Sequence, residues 1–330
     1  MRQRRAPMLA ATALAVATLS ACTDAPEPKA KEAGDPAKFP VEITSCGFTS
    51  EVTAAPEKAI TLNQGATEIM LALDLADHLA GTAYLDDAVA ERWQAAYDEV
   101  PVLSKEYPTN EQLLQAEPDF VYASYSSAFE KNVAGPRKKL AETGVASYLS
   151  PFGCEDKAQR PEPSYDAVWD EVEAVAGAFG VPERAEKIRD DQQATLNDLE
   201  KEAAGKGVSV VWWDGGTKAP TVGAGDGGPA LVMDAVGITN AFGDAEGSWI
   251  DSSWEDVVAA DPDVIVLVDA SWDTAADKRK YLESDPVLSK LTAVEQGHLV
   301  TIPFSESTAG VRLVDGASSL GEQIAALDLS

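Results

Sequence analysis

One stretch limits the architectures open to this chain. Pro182 to Ala204 reads PERAEKIRDDQQATLNDLEKEAA, a long helical segment with strand–helix alternation on both sides. Pro182 suits a first helical position, where its missing N–H would be unpaired anyway, and Glu183 and Lys187 stand at i,i+4 in the favourable order. Of the 23 residues 11 are charged, and only Ile188, Leu196 and Leu199 make an apolar stripe. At ~1.5 Å per residue the helix would span roughly 34 Å. So polar a helix with so thin a seam suits a strut between two bodies better than a core element. Gly205 offers its stop.

The flanks carry the same grammar twice. Before the helix, strands are predicted at Ala59–Leu62, Leu79–Ala83, Val100–Leu103, Asp119–Ala123 and Val145–Leu149. Helices are predicted at Gly65–Leu73, Thr109–Ala116, Val133–Thr143 and Tyr165–Phe179. After it come strands at Val208–Trp213, Asp263–Val268 and His298–Ile302, with a short extended or irregular piece at Thr239–Phe242. Helices are predicted there at Pro229–Val236, Ser253–Ala260, Tyr281–Leu291 and Val314–Leu327. Strands alternating with helices imply parallel sheets covered on both faces. The fold class is therefore α/β, two lobes joined by a single long helix. The expected division is 1–21 signal peptide, 22–45 tether, 46–181 first lobe, 182–205 helix and 206–330 second lobe.

The N-terminus sets the compartment. Arg2, Arg4 and Arg5 precede a short apolar run from Met8 to Leu19, which ends in Leu19-Ser20-Ala21-Cys22. The run is too short to cross a bilayer and reads as a signal peptide. Its end resembles a bacterial lipobox, which implies cleavage before Cys22 and lipid attachment to that sulfur. The mature protein is then expected on the outer face of the cell membrane, held only by its anchor. Thr23 to Pro40, rich in Pro, Ala and charge, reads as a disordered tether. Cys46 and Cys154 are the remaining cysteines; in an exported chain they are expected to pair. The formal charge of −29 excludes nucleic acid and an anionic membrane face as partners.

Several segments resemble the ferric-siderophore and cobalamin binding proteins of ABC importers. Pro56 to Leu73 (PEKAITLNQGATEIMLAL) is similar to the family's opening strand and helix. Leu113 to Tyr122 (LLQAEPDFVY) and Val257 to Leu267 (VVAADPDVIVL) look like its paired helix, Pro-Asp, strand segments, one per lobe. Ser284 to Val300 matches its penultimate segment. The resemblance covers roughly residues 53–327. Gly81 to Asp86, Val222 to Gly225 and Met233 to Gly237 look most like an actinobacterial branch, which includes proteins assigned to iron complexes and to a deazaflavin-cofactor precursor. The resemblance implies a monomeric binding protein, not an enzyme, with its ligand in a cleft between the lobes. It also implies a permease that docks on one acidic residue per lobe, here Glu68 and Glu255.

In open α/β sheets ligands bind beyond the carboxyl ends of strands. The segments there are aromatic: Tyr84, Trp93, Tyr125, Trp213, Trp249, Trp272 and Phe304 are the candidate contacts. Such faces hold bulky planar or apolar ligands. Trp212 and Trp213 must point to opposite faces of one strand, so at most one sees the cleft. Arg312, in a late loop, is a candidate clamp for a carboxylate or for the oxygens of a metal complex; a surface arginine paired with Asp315 is the plainer reading. The many acids near these segments favour a near-neutral, hydroxamate-type ferric complex over ferric citrate or a phosphate-bearing ligand. No cofactor and no bare-metal site is expected. The chain has two histidines, His78 and His298, both just before strands and read as surface residues. Gly223-Ala-Gly-Asp-Gly-Gly228 fits G-x-G-x-x-G, but only Thr221-Val222 precedes it as a strand, so it reads as a cleft loop. There is no G-x-S-x-G elbow for a hydrolase. An iron–siderophore complex is the leading ligand. A corrinoid or other bulky cofactor precursor is the runner-up, with a surface sensor or surface hydrolase as rival classes.

Overall fold

A computed structural model describes residues 38–329; the signal sequence, Cys22 and the tether up to residue 37 lie outside the described residues. The first lobe contains strands β1 (Val41–Ser45), β2 (Phe48–Val52), β3 (Ala59–Leu62), β4 (Leu79–Ala83), β5 (Val102–Ser104), β6 (Phe120–Ala123) and β7 (Ala146–Leu149). Its helices are α1 (Gln64–Ala72), α2 (Glu91–Tyr97), α3 (Asn110–Gln115), α4 (Arg137–Glu142) and α5 (Tyr165–Ala178). The connecting helix is α6 (Pro182–Glu202). The second lobe contains β8 (Ser209–Gly215), β9 (Thr221–Gly223), β10 (Thr239–Asn240), β11 (Trp249–Asp251), β12 (Val264–Asp269) and β13 (Leu299–Pro303). Its helices are α7 (Gly227–Ala235), α8 (Trp254–Ala260), α9 (Ala275–Ser284), α10 (Thr292–Glu295) and α11 (Leu313–Ala325).

The first lobe is built on a parallel sheet of order β5-β4-β3-β6-β7. β3 and β6 are buried at every residue, as strands covered on both faces must be. In the second lobe β8 pairs in parallel with β12, and β12 with β13. Along β8 the alternation of a strand sends Val210 and Trp212 into one core layer, Val211 and Trp213 into the other. Neither tryptophan reaches the cleft.

Five features depart from the sequence reading. Val41–Ser45, counted with the tether, is a strand, and with β2 it forms an antiparallel hairpin across Cys46-Gly47. Both turn residues have positive φ, 51° and 69°, as a two-residue hairpin turn requires. β9 and β11 form an antiparallel edge, so the second sheet is mixed. α4 begins only at Arg137, because Gly135 (φ 85°) and Pro136 interrupt the expected helix. The helix expected over Tyr281–Leu291 starts earlier, at Ala275, and stops at Ser284 before Asp285-Pro286. Finally, His78 and His298 are buried, their Nδ1 atoms 2.7 Å from the Pro56 carbonyl and 3.1 Å from the Asp263 carbonyl. The expected disulfide joins Cys46 to Cys154, tying the hairpin to the segment after β7.

α6 is the strut, and its thin seam is divided between the lobes. Ala185 and Ile188 pack on the first lobe's core, Leu199 on the second's. Arg184 donates to the carbonyls of Leu73 and Asp74 at 2.9 and 2.8 Å. At mid-helix Gln192 accepts from Trp169 Nε1 and donates to the Val311 carbonyl, both at 2.7 Å. Left-handed Ala203 caps the helix, just before the expected Gly205 stop.

A second connection between the lobes is electrostatic. Arg312, at the start of α11, is buried and reaches across to α1. Its Nη1 lies 3.2 Å from Glu68 Oε1, 3.2 Å from the Ala88 carbonyl and 2.6 Å from Ser305 Oγ, and its Nη2 bonds Glu306. Glu68 is 2 % exposed and also accepts from Gln64 at 2.8 Å. The residue expected to meet a permease is thus an internal partner between the lobes, and the arginine expected to clamp a ligand is consumed by it. Arg92–Asp315 (2.6 Å) and Ser305 Oγ–Asp87 (2.7 Å) extend the seam, and Val311 inserts into the first lobe's core.

One guanidinium faces two buried carboxylates here. Burial pushes Glu68 up to about 7 against the pull of Arg312, and burial also raises Glu306. Because the folded-state value of Glu68 lies above the unfolded one, the folded protein holds a proton that the unfolded chain releases. Stability is therefore highest below about pH 4.5 on this account and falls as pH rises through about 7. Arg312→Ala should cost about 3–5 kcal/mol at pH 8, where it leaves unpaired buried charge. The cost should be smaller at pH 5, where both glutamates can take a proton. Thermal unfolding at the two pH values checks this; equal costs would contradict it.

Candidate functional site

The sheet order of the first lobe places a crevice. β4 lies on one side of β3 and β6 on the other, so the connections leaving β3 and β6 diverge, and ligands bind at such a switch point. Gln64 and Gly65 after β3, and Ser124 and Tyr125 after β6, line a cavity of about 280 Å³. The opposite wall comes from the second lobe: Gly227 and Gly228 at the start of α7, Trp249 on β11, and Phe304 with Thr308–Gly310 after β13. A second cavity of about 260 Å³ shares Tyr125, Asp86 and Phe304 and adds Tyr84, Tyr107 and Trp272.

Glycine is required inside each of these walls. A Cβ on Gly228 would lie 2.0 Å from the Ser307 carbonyl oxygen, and one on Gly153 would lie 1.9 Å from that of Ser124. The glycine-rich run before α7 is thus a close-packed cleft turn, with Ala224, Gly225 and Asp226 donating to the carbonyls of Ser248, Ala245 and Gly247. It is no dinucleotide fingerprint, since the strand before it, β9, runs antiparallel to both of its neighbours.

Of the candidate aromatics, Tyr84, Tyr125, Trp249, Trp272 and Phe304 line the two cavities. Trp272 is 61 % exposed and stands edge-on to Phe304, 5.0 Å between ring centres. Its turn is fastened from below by buried Lys278, which donates to the carbonyls of Val268 and Asp273 at 2.6 and 2.8 Å. Tyr84 adopts φ 59° and meets Tyr107 edge-on at 4.7 Å. A bulky residue at positive φ is held there by its surroundings. Two candidates lie elsewhere. Trp93 packs on the first lobe's core beneath Arg92. Trp213 is buried against Trp254 and Tyr281, with its N–H on the Gly215 carbonyl.

The charges of the first cavity are unbalanced. Asp86 and Glu171 line it, against Arg160, whose Nε already donates to the Cys154 carbonyl at 2.7 Å. Desolvation raises Asp86, and Asp87 and Glu106 add to the effect. Glu171, on α5, accepts from the Tyr122 hydroxyl at 2.6 Å and from Ser150 Oγ at 3.1 Å. Burial pushes it up to about 7. Sequence reading passed over Glu171, Tyr107, Phe152 and Arg160. Glu171 left a signal all the same: it falls on the α5 face of Val168, Val172 and Val175, where a carboxylate is out of place.

The chain's residues 60–306 match the profile of the periplasmic binding protein family. Among solved structures, a periplasmic binding protein from Veillonella parvula is similar over 87 % of this chain and 98 % of its own, with 28 % identity and a TM-score of 0.74. An ABC-type Fe3+-hydroxamate transport system protein from Saccharomonospora viridis covers 87 % of this chain and 100 % of its own, at 22 % identity and a TM-score of 0.69. The periplasmic heme-binding protein RhuT from Roseiflexus covers 82 % and 98 %, at 21 % identity and a TM-score of 0.63. No protein of curated function matches the chain. Two α/β lobes on one long helix, a crevice between them and a profile match across both lobes have one meaning: the chain belongs to the periplasmic binding protein family, the non-enzymatic substrate-binding components of ABC importers.

Proposed function

We propose that the protein captures a ferric siderophore of the hydroxamate type between its lobes and presents it to an ABC permease. The observation that carries the reading is the inter-lobe cavity itself, with aromatic walls from both lobes and two carboxylates against one arginine. A neutral tris-hydroxamate iron complex meets no charge penalty there, whereas ferric citrate or the two propionates of haem would face Asp86 and Glu171. The Fe3+-hydroxamate system protein of Saccharomonospora viridis shares the fold and supports the choice. A corrinoid or deazaflavin precursor, the latter suggested by the actinobacterial resemblance, is the second reading. The exported lipoprotein location inferred from Cys22 fits the same role.

For docking, the buried Glu68 is replaced by a residue the internal repeat identifies. Glu255 stands eight residues before the Asp of Asp261-Pro262-Asp263; Glu111 stands eight before that of Glu117-Pro118-Asp119. Both lie in the first turn of a helix capped by a hydroxyl, Thr109 for α3 and Ser253 for α8, and both are exposed. Three residues further on, Leu114 and Val258 are exposed in matching places. We assign Glu111 and Glu255 to the permease.

Two measurements follow. Tryptophan fluorescence should respond saturably to a ferric tris-hydroxamate, through Trp249 and Trp272, and not to ferric citrate; haem and cobalamin are the comparison arms. Silence towards every iron complex would overturn the ligand class. Glu111→Arg with Glu255→Arg should abolish uptake by whole cells at least about tenfold while fluorescence binding persists. Undiminished uptake would remove these residues from docking.

A further inference from the structure

Glu171 has a chemical consequence that a neutral ligand does not use. Glu171 as a residue is 3 % exposed and lines the inter-lobe cavity. Two neutral hydroxyls bond it, from Tyr122 and Ser150, one to each oxygen. Among the described residues no cation pairs with it. A carboxylate offers about four acceptor positions, so two hydroxyls leave it half satisfied. Buried carboxylates are ordinarily matched by a cation or a full set of donors. The cavity's one lining arginine, Arg160, is occupied at Nε by the Cys154 carbonyl, and Asp86 adds a second negative group to the same space. Phe152, Pro161 and Pro163 line that cavity as well and suit an aliphatic chain.

We propose that this wall of the cleft is a subsite for a cationic arm of the ligand, an alkylammonium whose N–H groups bond the Glu171 carboxylate. The inference rests on the hydroxamate reading above and narrows it to complexes that carry a protonated amine beside a neutral iron core. The hydroxyls of Tyr122 and Ser150 hold the carboxylate in place from the sheet side, so the arm meets a preset acceptor. Ion pairing out of water gives the strength: hydrogen bonds between charged groups are roughly twice as strong as neutral ones. Arg160 lines the same cavity and would repel a wrongly placed amine.

The test compares two ferric complexes that differ only at the arm, ferrioxamine B with its free terminal amine and the same complex N-acetylated. Full-length mature protein is titrated by tryptophan fluorescence and by calorimetry. The wild type should prefer the amine form about tenfold or more, and Glu171→Gln, which preserves size, accepts one hydroxyl at its amide oxygen and donates to the other from its amide nitrogen, should reduce that preference to less than about threefold. Equal affinity of the wild type for both complexes would overturn the subsite and leave the hydroxamate reading standing. A preference that survives in Glu171→Gln would likewise overturn it. Binding of neither complex by protein that unfolds cooperatively would overturn the hydroxamate reading, and the subsite with it. The wild-type comparison needs no variant, so a folding defect in Glu171→Gln would not decide the outcome.

Discussion

The guanidinium of Arg312 is the interaction on which the arrangement of this molecule depends. It is one cation shared between Glu68 of the first lobe and Glu306 of the second, in a place with little water. Charges so buried are costly unless paired, and breaking such a set by removing one member is worse than never having built it. The lobes therefore cannot separate along this seam without stranding a carboxylate. With α6 as the other tie, the cleft is bounded by two connections of different kinds, one covalent and elastic, the other electrostatic and all-or-none.

That arrangement fixes the shape of the cavity. Phe304, Ser305 and Glu306 form one turn after β13. Phe304 lines the cavity, Ser305 bonds Asp87 across the lobes, and Glu306 bonds Arg312. Three consecutive residues thus divide the tasks of contact, register and closure. On the other lip, Lys278 holds the Trp272 turn by backbone carbonyls, so that the most exposed aromatic of the site sits on a fixed base. Pre-set walls of this kind reduce the ordering cost of binding a large ligand.

The two-lobe plan was legible because hydrophobic runs and Pro-Asp breaks repeat on both sides of a charged helix, and periodicity reports burial directly. What the sequence left hidden depends on partners distant along the chain. Glu68 looks like a solvated helix residue until Arg312, 244 positions later, is brought against it. Trp213 and Trp272 are equally plausible cleft residues by position, and only the packing of β8 and the Lys278 anchor separate them. The β1–β2 hairpin was missed because its alternation follows directly on a Pro- and charge-rich tether. The register that relates Glu111 to Glu255 was readable throughout, since the repeated Pro-Asp segment supplies it.

Val311 fills the first lobe's core, although it lies after every strand of the second. Chains emerge amino end first, so residues 41–181 leave the ribosome or the export channel with a gap in their interior that only the last twenty residues can close. The first lobe is then the earlier to be made and not the earlier to be finished. A truncation near the carboxyl end would therefore injure the lobe farthest from it in sequence, and the order of biogenesis is written into one valine.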